Sequence, residues 1–125
     1  MEPSQFDLVA ASLRADDVDV DVFVEALATK LATSFPARVQ VERPRRLLGG
    51  KAPVRRIVAT LGDDRYELER AAGGVACVRR VLVRGIAIRS EQLELDAWID
   101  GLARSLVVQA ESTAQGRAAL ANLLE

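Results

Sequence analysis

Between residues 38 and 90 apolar and polar side chains alternate, whereas on either side of that stretch apolar residues recur every three or four positions. A strand sends successive side chains to opposite faces, and a helix gathers positions i, i+3 and i+4 on one stripe. A chain that runs from helical period to strand period and back, with no helix between the strands, is confined to an α+β arrangement of antiparallel neighbours. Its apolar helix stripes then need the sheet to lie on.

The N-terminal part holds two such stripes. Phe6, Leu8, Val9 and Leu13 follow Pro3 and Ser4 and predict a short helix. Asp16, Asp17 and Asp19 open a stronger one, since acidic side chains accept hydrogen bonds from free first-turn amides and offset the helix dipole. Phe23, Leu27, Leu31 and Phe35 recur at steps of four, beside Val20 and Val24, and Pro36 stops the pattern.

Val39 and Val41 mark a first strand against Arg38, Gln40 and Glu42. The segment from Arg43 to Pro53 contains two prolines and the Gly49–Gly50 pair, which makes it a connection. Alternation resumes over residues 55–61 and, after a turn at Gly62, Asp63 and Asp64, over residues 65–70. Past Gly73 and Gly74, residues 75–83 read as a β-branched fourth strand that extends beyond Gly85 to Ile88. Helical period returns with Leu95, Trp98, Ile99, Leu102, Leu106 and Ala110, and Ala114, Ala118, Ala121 and Leu124 continue it, which predicts either one long helix or two stacked ones that break near Gly116. The prediction is one α+β domain over residues 1–125: a four-stranded antiparallel meander with N-terminal and C-terminal helices packed on one face. Trp98 and Leu102 should meet the sheet face carrying Val39, Val41, Tyr66 and Leu68.

Chemistry is sparse. The chain has no histidine, which removes the usual general base near neutral pH, the Ser-His-Asp triad and every imidazole metal centre. The single cysteine, Cys77, sits among apolar residues and reads as packing. Lys30 and Lys51 are the only lysines, and no serine stands in a G-x-S-x-G or S-x-x-K context. Asp17, Asp19 and Asp21 match the start of a calcium loop, but Val22 replaces its glycine and Ala28 its bidentate glutamate. Gly49, Gly50 and Lys51 resemble the end of a phosphate loop, but Ala52 supplies no hydroxyl for magnesium. Glu67 and Glu69 share one strand face, where alternate glutamates form the solvated side. The expectation is a non-enzymatic protein without metal or cofactor. No basic cluster followed by an apolar run opens the chain, and no apolar stretch reaches the roughly 18 residues of a membrane helix. A soluble, cytoplasmic protein with no membrane span is therefore expected.

The net charge of −1 conceals a division. Residues 1–37 carry two basic and seven acidic side chains, residues 38–90 thirteen and five, and residues 91–125 two and six, giving −5, +8 and −4. Of the thirteen, twelve are arginine, the side chain suited to bidentate carboxylate or phosphate contacts. Arg43, Arg45, Arg46, Lys51, Arg55 and Arg56 are the densest group and the predicted site for a protein partner with an acidic surface. Nucleic acid is the alternative ligand for the same patch, disfavoured because the whole domain lacks a basic excess and is poor in aromatic residues. Pairing of these arginines with Glu67, Glu69 and the helix acids accounts for the segregation equally well.

The fourth strand is apolar on both sides: Val75, Cys77, Val81 and Val83 on one, Ala76, Val78, Leu82, Ile86 and Ile88 on the other. Either a bulge at Arg79 and Arg80 swaps the faces, or a second copy covers the surplus as a homodimer through Val78, Leu82 and Ile86. The function these features favour is a self-associating adaptor or chaperone-like module that binds an acidic partner through its arginine-rich loop.

Overall fold

The computed structural model describes residues 8–10, 20–44, 52–72 and 74–124. Helix α1 (Val20–Ser34) leads into strand β1 (Val39–Glu42), followed by β2 (Arg56–Leu61), β3 (Asp64–Ala71), β4 (Gly74–Val83) and β5 (Ile86–Leu93), then helices α2 (Leu95–Ser112) and α3 (Ala114–Leu124). The sheet is an antiparallel meander in the order β1-β2-β3-β4-β5. Residues 8–10 are helical, with Val9 and Ala10 buried. The rest of the first predicted helix lies outside the described residues, as do Asp16, Asp17, Asp19 and the Gly49–Lys51 turn.

The α+β expectation holds, with five strands in place of four. What read as one strand running past Gly85 to Ile88 reverses there: Arg84 and Gly85 have φ of 54° and 81°. Two consecutive positive φ values are the signature of the type I′ turn, whose twist matches a two-residue hairpin. Val83 then pairs with Ile86 and Leu82 with Ala87. The register irregularity falls between Val81 and Leu82, leaving Ile88 as the extra residue on β5, and no face swap occurs at Arg79 and Arg80.

One row of the register crosses all five strands with apolar side chains: Val41, Ile57, Leu68, Cys77 and Leu93. The row beside it begins Val39, Ala59, Tyr66. On this face α1 sets down Val24, Leu27 and Leu31, α2 sets down Trp98, Leu102 and Leu106, and α3 contributes Leu120 and Leu123, forming one core. Trp98 meets Tyr66 edge to face, as expected, and Leu102 and Leu68 share the same core, whereas Val39 and Val41 stand on β1, which packs against α1 rather than against α2. Each fully buried leucine here contributes about 1.5–3 kcal/mol by leaving water. The thiol of Cys77 is buried in the same layer, and that burial pushes it up to about 11, with the Glu94 carboxylate adding to the shift. At neutral pH it is an inert thiol.

The C-terminal helical stretch breaks at Thr113, three residues before the glycine. Thr113 is extended, and its hydroxyl accepts a hydrogen bond from the Gly116 amide at 2.8 Å, capping α3. Gly116 serves a different purpose. A Cβ at that position would stand 2.8 Å from the Gln109 carbonyl oxygen and 2.9 Å from the Ala110 Cα, so the glycine lets the start of α3 lie directly on the end of α2. Gly116→Ala should destabilise the protein by about 1–3 kcal/mol, the cost of forcing backbone apart. The opposite sign would follow at an open helical position, where alanine gains about 1 kcal/mol over glycine. Denaturant titration of the two proteins separates the outcomes.

Candidate functional site

The opposite face of the sheet has no helix over it among the described residues, and its register is an ionic one. Arg56 on β2 donates to Glu42 on β1 at 2.9 Å and to Glu67 on β3 at 2.8 Å. Arg80 on β4 donates to Glu67 at 2.7 Å and to Ser90 on β5 at 2.5 Å. Glu42, Arg56, Glu67, Arg80 and Ser90 thus form a ladder that crosses every strand, alternating in charge as cross-strand neighbours favour. Its centre is Glu67, a buried carboxylate. Burial raises the Glu67 pKa, but the hydrogen bonds from Arg80 and Arg56 outweigh it and hold the carboxyl below its ordinary value.

Three large apolar side chains lie on this face. Val58 and Leu82 are buried and Val78 is half-buried, yet Val58 and Leu82 stand apart from the helix-covered core. Val58 lies directly opposite Glu67, which in turn lies opposite Val78. The surface is therefore an ordered apolar and charged patch, held in place by hydrogen bonds rather than by an overlying layer.

The predicted partner-binding residues divide. Arg43 binds Glu25 of α1 through both guanidinium nitrogens, at 2.8 and 3.1 Å, and also donates to the Ala52 carbonyl at 2.6 Å. Together these bonds close the two ends of the β1–β2 connection onto α1. Arg56 belongs to the ladder. Arg55 is exposed, with Glu69 at 3.9 Å. Arg45, Arg46 and Lys51 lie outside the described residues. Two further arginines reach acids: Arg70 meets Asp21 of α1, a helix acid as anticipated, and Arg79 meets Asp64 at the start of β3, which was not among the expected partners.

The predicted self-association residues divide as well. Val78 and Leu82 are on the open face. Ile86 is not: the chain has reversed at Gly85, and Ile86 pairs with Val83, which shares the side of Cys77 and Val81. Ile86 and Ile88 are nonetheless strongly exposed, at 68% and 64%.

On the helix side, a cleft of about 710 Å³ opens between α2 and the β3–β5 strands, lined by Asp64, Tyr66, Arg79, Glu91, Arg104 and Gln109 among others. The Tyr66 hydroxyl and the Ser105 hydroxyl share a hydrogen bond of 2.9 Å. Among the described residues no group of three metal-ligating side chains comes together, and no helix is long and apolar enough to cross a membrane. The sequence reading anticipates pairing of sheet arginines with Glu67, but not that Arg56 and Arg80 are the two that meet there or that Glu67 is buried, because both depend on register. No protein-family model, curated protein or solved structure matches the chain.

Proposed function

We propose that this protein is a non-enzymatic assembly module of the cytoplasm, adaptor-like or chaperone-like, that self-associates and engages a protein partner with an acidic surface. The observation that carries the reading is the open sheet face, where Val58, Val78 and Leu82 are set among fixed arginines with no helix over them among the described residues. An apolar centre with arginines around it is a composition that protein interfaces use, and a preordered surface loses little side-chain freedom on binding. The exposed Arg55 adds a cation beside that face, 3.9 Å from Glu69. Nucleic acid fits less well, because Arg43 and Arg56 already spend their donors on Glu25, Glu42 and Glu67.

Reversing Arg45, Arg46, Lys51 and Arg55 to glutamate tests the reading while sparing Arg43 and Arg56, which tie the fold together. The variant should fold as the wild type does and fail to recover the partner that wild type retains from lysate. Wild type should show little affinity for duplex or single-stranded DNA at physiological ionic strength, about 0.15 M. Salt-sensitive DNA binding by wild type that the four changes abolish would establish the nucleic-acid alternative instead.

A further inference from the structure

β5 is the last strand of the sheet, and every residue from Ile86 to Gln92 is exposed. Three backbone bonds show which of its groups point outward. Leu82 donates to Asp63, Arg70 to Arg55, and Thr60 to Arg38. In an antiparallel strand a residue sends its N–H and C=O to the same neighbour, and successive residues alternate. All three bonds give one parity: Val78, Arg80 and Leu82 face β3, and Cys77, Arg79 and Val81 face β5. Their partners Leu93, Glu91 and Arg89 are therefore bonded to β4. Ser90 and Gln92 carry their N–H and C=O on the outer edge, which no strand among the described residues occupies.

We infer that this edge pairs with the same edge of a second copy, antiparallel about a two-fold axis at Ser90, joining two five-stranded sheets into one. The inference rests on the self-association proposed above and locates it on β5 rather than on the open face. Charge selects the register. An axis at Ser90 sets Ser90 opposite Ser90 with two backbone hydrogen bonds, and Arg89 of each chain opposite Glu91 of the other. An axis one residue earlier or later sets arginine against arginine or glutamate against glutamate, which cross-strand pairs disfavour. Within one chain Arg89 and Glu91 are 3.9 Å apart and both well exposed, so neither is committed elsewhere by a close bond. The same axis carries the exposed Ile86 and Ile88 to the end of the partner's β5 and the start of its α2. The two α2 helices then lie on the same side of the joined sheet, one flanking each half.

Light scattering at micromolar to submillimolar concentration should give twice the 13.5 kDa chain mass. R89E or E91R alone creates two like-charged pairs by symmetry and should weaken dimerisation about tenfold, and the R89E/E91R double variant should restore it. S90P removes an edge N–H that β4 does not use, so the variant should keep its fold and become monomeric. Amide exchange should slow at Ser90 and Gln92 on dimerisation. A dimer unaffected by S90P and by both single reversals would overturn the edge assignment and leave self-association elsewhere intact. A single-chain mass at every concentration would overturn both. Should S90P fail to fold, loss by each reversal and recovery in the double variant decide the matter alone.

Discussion

Trp98→Ala should cost about 3–5 kcal/mol, the range for removing a large buried aromatic. Trp98 is fully buried, its ring meets Tyr66 edge to face at a centroid distance of 6.2 Å, and its indole nitrogen donates to the Val78 carbonyl at 3.2 Å. Truncation therefore opens a cavity, removes an aromatic pair and unties α2 from β4 at once. Denaturant unfolding followed by circular dichroism measures it. A loss below about 1 kcal/mol, the usual size for an exposed position, would mean that α2 does not dock as described.

The second large effect belongs to Glu67. Glu67→Ala leaves Arg56 and Arg80 facing each other across β3 with no anion between them, and should cost about 2–3 kcal/mol, below the figure for a fully buried pair because both arginines are partly solvated. Glu67→Gln isolates the charge. The folded-state pKa of Glu67 lies below the unfolded one. Its contribution is thus complete above the ordinary glutamate value of about 4.3 and disappears as pH falls through the lowered folded value. Wild type should exceed the glutamine variant in urea midpoint at pH 7, and the gap should close in acid. A gap that stays constant with pH would show that the carboxylate charge does not hold the ladder.

Period and turn chemistry made most of this architecture legible in advance. The core stripe of α1 and α2, the first three strands and the burial of Cys77 all follow from spacing. β5 did not, because its middle is Arg89, Ser90, Glu91 and Gln92, an exposed edge without alternation. Its turn was also disguised: Arg84 supplies a positive φ that sequence readers assign to Asn, Asp or Gly. The apolar surplus of Val78, Leu82 and Ile86 was real as composition, but one hairpin divides it between two sides. Pairing with Glu67 is legible in the charges, but the continuous ladder is not, for a related reason. Arg56, Glu67 and Arg80 can be seen as alternating charges in the sequence, whereas their contact requires the register that the apolar row fixes on the other face.

The order of the strands has a bearing on how the molecule comes to exist. Because each strand pairs with its neighbour in sequence, the β2–β3, β3–β4 and β4–β5 ladders close two-residue turns and only β1–β2 closes a longer connection, so the sheet can assemble hairpin by hairpin as the chain is made. Contact order is raised instead by the ends: α1 packs on α3, elements separated by the whole sheet. Until α3 arrives, the apolar sides of α1 and α2 on which it packs lack that cover, and the nascent chain carries an aggregation hazard that this helix resolves. Cooperativity in this fold should therefore be set by the docking of its two ends rather than by the sheet between them.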